Sequence, residues 1–262
     1  MTDWASLCRA ATADVQRVLA ELPTRFEREP VVGAGEGGDE TTRVDAAAEE
    51  VVLARFRGLD DVTIVSEEAG SSGDGRLRVV VDPIDGSLNA KRSIPYFSLS
   101  IAVADGPAIE DVFFGFVHDF GSGEEWTARR GEGAFLNGEP LGPELPKETI
   151  EILAFEATRT AYVAEKAAAM VGVAHRLRIM GSLALSLCHL AAGRLDGVVS
   201  LKPVRSVDVA AGQLLVRERG LAVELPEAPP FTRAPLDLEG RSRIVAAGTD
   251  ELCSRLATAL LA

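Results

Sequence analysis

Hydrophobic and polar positions follow two different periods in the first half of the chain. Residues 3–22 and 43–57 repeat apolar residues every three or four positions, which predicts two amphipathic helices, and Pro23 and Pro30 follow the first of them. From residue 62 to residue 141, short runs rich in β-branched and aromatic residues are separated by glycine and asparagine. Such runs predict strands, mostly antiparallel and joined by hairpins.

The pattern changes at about residue 148. Predicted strands then alternate with predicted helices, and the helices cover residues 159–171, 182–192, 207–219 and 250–261. This alternation predicts a layered α/β arrangement. We therefore expect one domain over residues 1–262, with an N-terminal α+β half to about residue 147 and a C-terminal α/β half from about residue 148.

The chain is acidic, which limits the classes of molecule that we expect it to bind. It carries 40 Asp and Glu against 27 Lys and Arg, a formal net charge of −13, and the basic residues are scattered. Nucleic acids and anionic membranes bind clustered basic residues, so we expect neither as a partner. The three cysteines have no metal-ligand spacing, and neither a signal peptide nor a membrane-spanning apolar run is evident, so we expect a cytoplasmic protein.

Two predicted strands end in pairs of acidic residues. The run VTIVSEE ends in Glu67 and Glu68, and the run RLRVVVDPIDGS carries Asp82 and Asp85 around a proline. One interpretation involves no chemistry, because Asp-Pro and Asp-Gly are common in turns and an aspartate can cap the helix that follows.

The other interpretation requires further acids at the same place. Asp45 and Asp208 lie at the starts of two predicted helices, and strand ends and helix starts are where α/β folds collect functional groups. Carboxylates in one pocket repel each other unless they bind protons or cations, and hard oxygen ligands select Mg²⁺, Ca²⁺ or Mn²⁺. Pro83 removes a donor beside Ile84, whose carbonyl oxygen could serve as a further ligand.

The residues after Asp85 suit a phosphate. Gly86 removes a side chain where another group must approach the backbone, and Ser87 begins a short predicted helix. The free N–H groups and the positive end of the helix dipole favour an anion there. Divalent cations held by the acids would allow this acidic site to bind a phosphate ester.

Together these segments resemble the motifs of the inositol monophosphatase and fructose-1,6-bisphosphatase superfamily. VDPIDGSLN is similar to its metal-binding motif, SEE to its upstream acidic motif, and SVDVAAGQLLVRERG to its C-terminal motif. EWTARRGEGAFLNGEPL and GSLALSLCHLAAGRLDG resemble the segments between them, so the resemblance extends over about residues 33 to 225. GAGEGGDETTRVD is similar to a glycine-rich segment of the archaeal-type dual inositol-1-phosphatase and fructose-1,6-bisphosphatase enzymes, the group that the chain resembles most.

The resemblance implies a layered αβαβα sandwich and a Mg²⁺-dependent phosphomonoesterase. Two or three ions are implied, with Mn²⁺ as a possible substitute and Li⁺ as an inhibitor. One ion would bind Glu67, Asp82 and the Ile84 carbonyl, and a second would bind Asp82, Asp85 and Asp208. Asp45 would reach a third ion through water.

The resemblance also implies roles around the substrate. Asp45, Glu67 and Ser87 would orient and help to deprotonate the attacking water. The residues that would contact the substrate near the phosphate are Asp85, Gly86, Ser87, Gly181 and Ser182.

The sequence departs from the family motifs at residues that would contact the part of the substrate away from the reacting phosphate. Inositol-specific members carry a glutamate where this chain has Leu201, and Lys202 and Arg205 lie nearby. On charge pattern alone, the two basic residues could form a solvated face. Alternatively, they bind a sugar phosphate or the second phosphate of a bisphosphate, since arginine can bind phosphate through two donors.

The expected reaction is hydrolysis of inositol-1-phosphate, fructose-1,6-bisphosphate or both, by in-line attack of a metal-activated water. Two alternatives stay open. One is a 3′-phosphoadenosine-phosphate or histidinol-phosphate phosphatase of the same superfamily, and the other is a non-catalytic metal- or phosphate-binding protein on the same fold. The resemblance further implies a homodimer that takes a small phosphorylated substrate.

Overall fold

The computed structural model describes residues 2–35, 40–143, 148–156, 159–228 and 230–262. Its α-helices are α1 (Trp4–Glu21), α2 (Arg25–Arg28), α3 (Arg43–Phe56), α4 (Ser87–Lys91), α5 (Thr160–Lys166), α6 (Leu183–Ala191), α7 (Ser206–Glu218) and α8 (Asp250–Leu261). Short 3₁₀ helices cover Ile109–Asp111, Ala167–Met170 and Phe231–Arg233.

The strands form three sheets. They are β1 (Val31–Ala34), β2 (Glu40–Thr42), β3 (Val62–Ser66), β4 (Gly70–Ser72), β5 (Leu77–Asp85), β6 (Ser98–Ala104), β7 (Val112–Asp119), β8 (Glu125–Arg129), β9 (Gly133–Leu136), β10 (Glu139–Pro140), β11 (Ile150–Glu156), β12 (Ala174–Arg178), β13 (Gly197–Ser200), β14 (Ala222–Glu224) and β15 (Val245–Ala247).

The larger sheet has eight strands in the order β10-β9-β8-β7-β6-β5-β3-β4. Neighbouring strands are antiparallel except β3 and β5, which run parallel. The antiparallel hairpins expected from the sequence are therefore confirmed. Strand β4 and the separate hairpin of β1 and β2 are not anticipated, because strands of three or four residues are too short to show a periodic pattern. Residues 36–39, within the predicted glycine-rich segment, lie outside the described residues.

The smaller sheet has the order β12-β11-β13-β15-β14. Strand β11 is parallel to β12 and β13, as alternation of strands and helices predicts. Strand β15 is antiparallel to β13 and β14, because β14 and β15 are joined without a crossover helix. The α/β arrangement predicted for the C-terminal half is thus confirmed, except that one edge of its sheet is antiparallel.

Three hydrophobic cores fill the four interfaces between five layers, because the central core extends over both sides of the middle layer. Helices α1 and α3 cover one face of the larger sheet, where Val79 and Val81 of β5 point, while the intervening Val80 points to the other face. Helices α6 and α7 lie between the two sheets and contribute to the core shared with both. Helices α5 and α8 cover the outer face of the smaller sheet. The predicted αβαβα sandwich is confirmed.

Small residues allow α7 to lie close to its neighbours. A Cβ atom at Gly115 of β7 would lie 2.9 Å from the carbonyl oxygen of Ala211, and one at Gly212 would lie 2.7 Å from Cδ1 of Leu187. Atoms this close would have to move apart. The Ala-Ala-Gly stretch that follows Asp208 therefore sets the position of α7, and with it the depth of Asp208.

Within the described part of the chain, no helix is both long enough and apolar enough to cross a bilayer. Cys8, Cys188 and Cys253 are buried and form no disulfide.

Candidate active site

The end of β5 places two acids, Asp82 and Asp85, in the interior. Strand β5 pairs with β6 at Asp82 and at Asp85, and the ladder is irregular between them, where Pro83 has no N–H to donate. The backbone N–H of Ile84 donates to Asp82 Oδ1 at 3.0 Å. Asp82 is 1% exposed and Asp85 is 9% exposed.

The turn after Asp85 requires glycine. Gly86 has a φ of +97°, and a Cβ atom there would lie 3.1 Å from the carbonyl oxygen of Gly181. Ser87 then begins α4 and donates its hydroxyl to the Ile84 carbonyl at 2.9 Å. Asn89 Nδ2 donates to the carbonyls of Tyr96 and Met180, both at 2.8 Å. These bonds hold the start of α4 against the segment of the C-terminal half that precedes α6.

Glu67 enters the site from the neighbouring strand. Strands β3 and β5 are parallel with Ser66 opposite Val81, so Glu67 and Asp82 are the next residues at the same sheet edge. Glu49 of α3 fixes the turn, because its Oε1 accepts from the N–H groups of Glu68 at 3.1 Å and Ala69 at 3.0 Å.

Two more acids come from helix starts. Asp45 Oδ2 accepts from the backbone N–H of Thr42 at 3.1 Å, and Asp208 Oδ2 accepts from that of Arg205 at 2.7 Å. Each aspartate is the third residue of its helix, the position from which an acid reaches back to the N-cap.

One cavity of about 170 Å³ brings most of the predicted residues together. The predicted residues that line it are Glu67, Asp82, Ile84, Asp85, Gly86, Ser87, Gly181, Lys202, Arg205 and Asp208. An adjoining cavity of about 440 Å³ is lined by Asp45 and shares Glu67, Ser87 and Lys202 with the first. The five predicted metal-binding acids therefore occupy two neighbouring cavities.

Ser182 has a different contact from the predicted one. It is 1% exposed, and its hydroxyl donates to Asp85 Oδ2 at 2.5 Å. The N–H of Ala184 donates to the same oxygen at 2.7 Å. Because both donors belong to the start of α6, Ser182 positions Asp85 from the C-terminal half and is too buried to reach a substrate directly.

Burial and mutual repulsion act on the acids of the first cavity. Burial raises the pKa of Glu67 to about 7, with Arg205 opposing the rise and Asp208 adding to it. Burial, followed by the charges of Glu67, Asp85 and Asp208, raises the pKa of Asp82 well above its ordinary value. Burial also raises the pKa of Asp85 to about 7, against the hydrogen bond from Ser182. A nearby cation is therefore needed to keep all these carboxylates charged.

A cation of the chain itself lies among the acids. The Arg205 side chain is 7% exposed; its guanidinium forms an ion pair with Glu67 and lies 3.3 Å from Asp208 Oδ1. Burial alone would lower the pKa of Arg205, but the charges of Asp208, Glu67 and Asp82 raise it above its ordinary value. The guanidinium is thus engaged by carboxylates, which does not support its predicted contact with a second phosphate.

The donor set suits a hard divalent cation. Carboxylates and a backbone carbonyl line the first cavity, and Asp45 Oδ1 is buried without a hydrogen-bond partner among the described residues. As they are placed, no three acidic, histidine or cysteine side chains of the described residues surround a single point. The types of donor fit a hard divalent cation, and Arg205 is paired with two of them, Glu67 and Asp208.

Several residues near the site are not anticipated by the sequence analysis. Glu156, at the end of β11, lines the first cavity; it accepts from the Ser186 hydroxyl at 2.7 Å and from the N–H of Gly181 at 2.9 Å. Lys91 and Arg159 line the second cavity. The strand-end signal that identifies Glu67 would also have identified Glu156, whereas nothing in their local sequence marks the two basic residues.

The family model described as the inositol monophosphatase family matches residues 3–261. The chain belongs to this family. A fructose-1,6-bisphosphatase/inositol-1-monophosphatase of Thermococcus kodakarensis is 32% identical over 260 residues, which are 98% of this chain and 97% of that protein. The Nus factor SuhB of Pasteurella multocida is 37% identical over 191 residues, 70% of each chain.

Solved structures agree with the family assignment. The crystal structure of an inositol monophosphatase–fructose-1,6-bisphosphatase matches with a TM-score of 0.86 and 26% identity, over 98% of this chain and 100% of that chain. As a member of the inositol monophosphatase family, a family of metal-dependent phosphatases, the chain is a phosphoric monoester hydrolase.

Proposed function

We propose that the chain hydrolyses inositol-1-phosphate, fructose-1,6-bisphosphate or both, with Mg²⁺ as its metal. The observation that carries the proposal is the gathering of Glu67, Asp82, Asp85 and Asp208, from three separate parts of the chain, around one cavity beside the start of α4. The name of the Thermococcus kodakarensis relative, which combines both activities, supports the choice of substrates.

The acids would divide between two or three ions. Glu67, Asp82 and the Ile84 carbonyl would hold one ion, Asp82 would share a second with Asp85 and Asp208, and Asp45 would reach a third through water. Bound metal would supply an activated water and charge neutralisation at the leaving oxygen. Mn²⁺ would substitute for Mg²⁺, and Li⁺ would inhibit.

Groups of the chain itself would position the water and the phosphate. The Ser87 hydroxyl donates to Ile84, which leaves its oxygen free to accept a hydrogen bond from water. Glu67 and the unpartnered Oδ1 of Asp45 would take up the proton as the water attacks. Gly86 and Ser87 line the cavity at the start of α4, where their backbone would cradle the phosphate.

The outer cavity supports a bisphosphate substrate. Lys91, Arg159 and Lys202 line it together with Tyr162, whereas Asp85 lines only the first cavity of the two. Three basic side chains would bind the distal phosphate there, with arginine able to use two donors. Leu201 is 2% exposed and its side chain is apolar, so that side chain offers no polar contact to an inositol hydroxyl.

Phosphate release from a substrate panel tests the proposal. The panel contains inositol-1-phosphate, fructose-1,6-bisphosphate, 3′-phosphoadenosine-5′-phosphate and histidinol phosphate, each with Mg²⁺ or with EDTA. We expect Mg²⁺-dependent release from the first two. Preference for either of the other two would favour the alternative phosphatases of the superfamily. No metal-dependent release from any of them would favour a non-catalytic role.

A variant at Asp85 separates catalysis from folding. Asp85 accepts hydrogen bonds from Ser182 and Ala184, which an asparagine oxygen would still accept. We therefore expect Asp85→Asn to keep its circular dichroism spectrum and to lose nearly all activity. Activity near the wild-type rate would remove Asp85 from the metal site.

A variant at Arg159 tests the distal phosphate site. Arg159 is exposed and lines only the outer of the two cavities. We expect Arg159→Met to raise KM for fructose-1,6-bisphosphate several-fold and to leave KM for inositol-1-phosphate within about twofold, as for loss of one exposed charged contact. An equal rise for both substrates would contradict this assignment.

We also propose that the protein is a single domain, a homodimer and cytoplasmic. The core that contains α6 and α7 is shared by both sheets, which supports one domain. Ile94 and Ile179 are 48% and 49% exposed, and they would provide apolar surface for a second copy. Light scattering of the wild type and of Ile179→Asp would test the dimer.

A further inference from the structure

We infer that Arg205 is a built-in counter-cation of the metal site, which neutralises Glu67 and Asp208 in the metal-free protein and gives way when a divalent cation binds. The inference rests on the proposed function, since it takes these two acids as metal ligands. It concerns how tightly metal binds and how the protein stays folded without it.

Arg205 engages the oxygens that a metal ion would need. Its backbone N–H donates to Asp208 Oδ2 at 2.7 Å, and its guanidinium Nη2 lies 3.3 Å from Asp208 Oδ1. The same Nη2 donates to Glu67 Oε1. A guanidinium at this position and a divalent cation would compete for the same carboxylates and would repel each other across a few ångströms of buried space.

The acids require such a partner when no metal is bound. Asp82 is 1% exposed and lies beside Glu67, Asp85 and Asp208, so several carboxylates share one poorly solvated cavity. A charge buried without a partner is strongly destabilising. Lys202 also lines this cavity but is exposed to solvent, so it is less able to supply that charge.

Arg205 has space in which to move. Besides the first cavity, it lines a separate cavity of about 300 Å³, with Val204 and Glu227 among the other lining residues. The guanidinium would turn toward this second cavity when a metal ion binds, with the start of α7 in place. The backbone bond to Asp208 Oδ2 does not depend on the guanidinium and would hold the acid in place during this change.

Metal affinity and metal-free stability test the inference without measuring turnover. In Arg205→Gln the side chain keeps donors but loses its charge. Isothermal titration with Mg²⁺ or Mn²⁺, without substrate, should give a Kd at least about tenfold lower than that of the wild type, because the competing charge is gone. Thermal unfolding in EDTA should occur at a lower Tm, while saturating Mg²⁺ should restore most of the difference.

Lys202→Gln is the matched control, since it removes one positive charge from the same cavity without breaking the ion pair. We expect its metal Kd to change by less than about threefold, as for an exposed charge. An unchanged or higher Kd in Arg205→Gln would overturn the inference. So would a fall in Tm that is equal with and without Mg²⁺, because that result indicates a purely structural role.

A measurement on the wild type covers the case in which Arg205→Gln does not fold. The guanidinium NMR signals of Arg205 should be protected from exchange with water in EDTA and should shift and lose that protection on saturation with Mg²⁺. Signals that stay unchanged at saturation would overturn the inference. A protein that shows this response but releases no phosphate would contradict only the proposed function.

Discussion

Helices α3 and α7 begin with the same backbone hydrogen bond, but their N-cap side chains differ in charge. In both, the third residue is an aspartate whose Oδ2 accepts from the N-cap backbone, Asp45 from Thr42 and Asp208 from Arg205. The N-cap of α3 adds a hydroxyl bond of 2.5 Å to the same oxygen and leaves Asp45 Oδ1 without a partner in the part of the chain that the structure describes. The N-cap of α7 instead places a guanidinium against Asp208 Oδ1.

The difference shows what the N-cap residue decides. The backbone bond fixes where the acid lies, so the same local arrangement serves at both helices. The N-cap side chain then decides whether the remaining oxygen is free or neutralised. Threonine leaves the second oxygen of Asp45 available to a ligand, whereas arginine neutralises Asp208, which lines the first cavity together with Glu67 and Asp82.

Replacing each aspartate with asparagine should give the largest difference in activity between the two helix starts. Asp208 lines the central cavity, whereas Asp45 lines only the adjoining one. We expect Asp208→Asn to lower kcat/KM for inositol-1-phosphate by about a thousandfold or more, equivalent to about 4 kcal/mol in the transition state. Asp45→Asn should lower it by about 10- to 100-fold, the usual cost of a group acting through water or another ligand.

Steady-state kinetics at saturating Mg²⁺ measures both losses. Each asparagine keeps an oxygen for the N-cap bond, so thermal unfolding should show folded proteins in both cases. Equal losses in the two variants would contradict the weaker, water-mediated role proposed for Asp45.

The position of α7 provides the next contrast. Gly115→Ala would place a Cβ atom 2.9 Å from the Ala211 carbonyl oxygen and push α7 away from the larger sheet. We expect the free energy of unfolding to fall by about 1–3 kcal/mol, the usual cost of overpacking. Activity should fall as well, because Asp208 moves with the helix. Urea denaturation and kinetics measure the two effects.

Gly58→Ala is the control for this prediction. Its Cβ atom would have no heavy atom of the described residues within 4 Å apart from the two adjacent residues, and Gly58 does not have a positive φ. Stability and activity should therefore stay near the wild-type values. If Gly115→Ala loses stability but keeps full activity, the depth of α7 does not control the site.

The helix starts and strand ends could be predicted from the sequence because local signals mark them. Asp45, Glu67, Asp82 and Asp208 each lie at the junction of a hydrophobic pattern with polar residues, and the parallel pairing of β3 and β5 then brings two of them together. The alternation of strands and helices predicted the α/β layering of the second half, whereas the αβαβα order was implied by the resemblance to the family.

The roles of long side chains could not be predicted in the same way. Arg205 was expected to face a substrate phosphate, yet it faces Glu67, which is 138 residues away in sequence. Its partner depends on how α7 packs against the larger sheet, and on the close contacts at Gly115 and Gly212. Such contacts join residues distant in sequence and leave no local periodicity.

The smallest expected effect concerns the hydroxyl at the start of α3. Thr42→Val removes the bond to Asp45 Oδ2 but keeps the backbone bond and the shape of the side chain. Thr249, whose hydroxyl accepts from the N–H of Leu252 at the start of α8, offers a matched N-cap at the far end of the chain. Both Thr42→Val and Thr249→Val should lower the free energy of unfolding by about 0.5–2 kcal/mol in urea denaturation.

Only Thr42→Val should also lower kcat/KM, by a few-fold, because Asp45 then has one hydrogen bond fewer to hold its side chain in place. Equal activities in the two variants would show that the backbone bond alone positions Asp45, and the contrast between the threonine and arginine N-caps would then concern charge only.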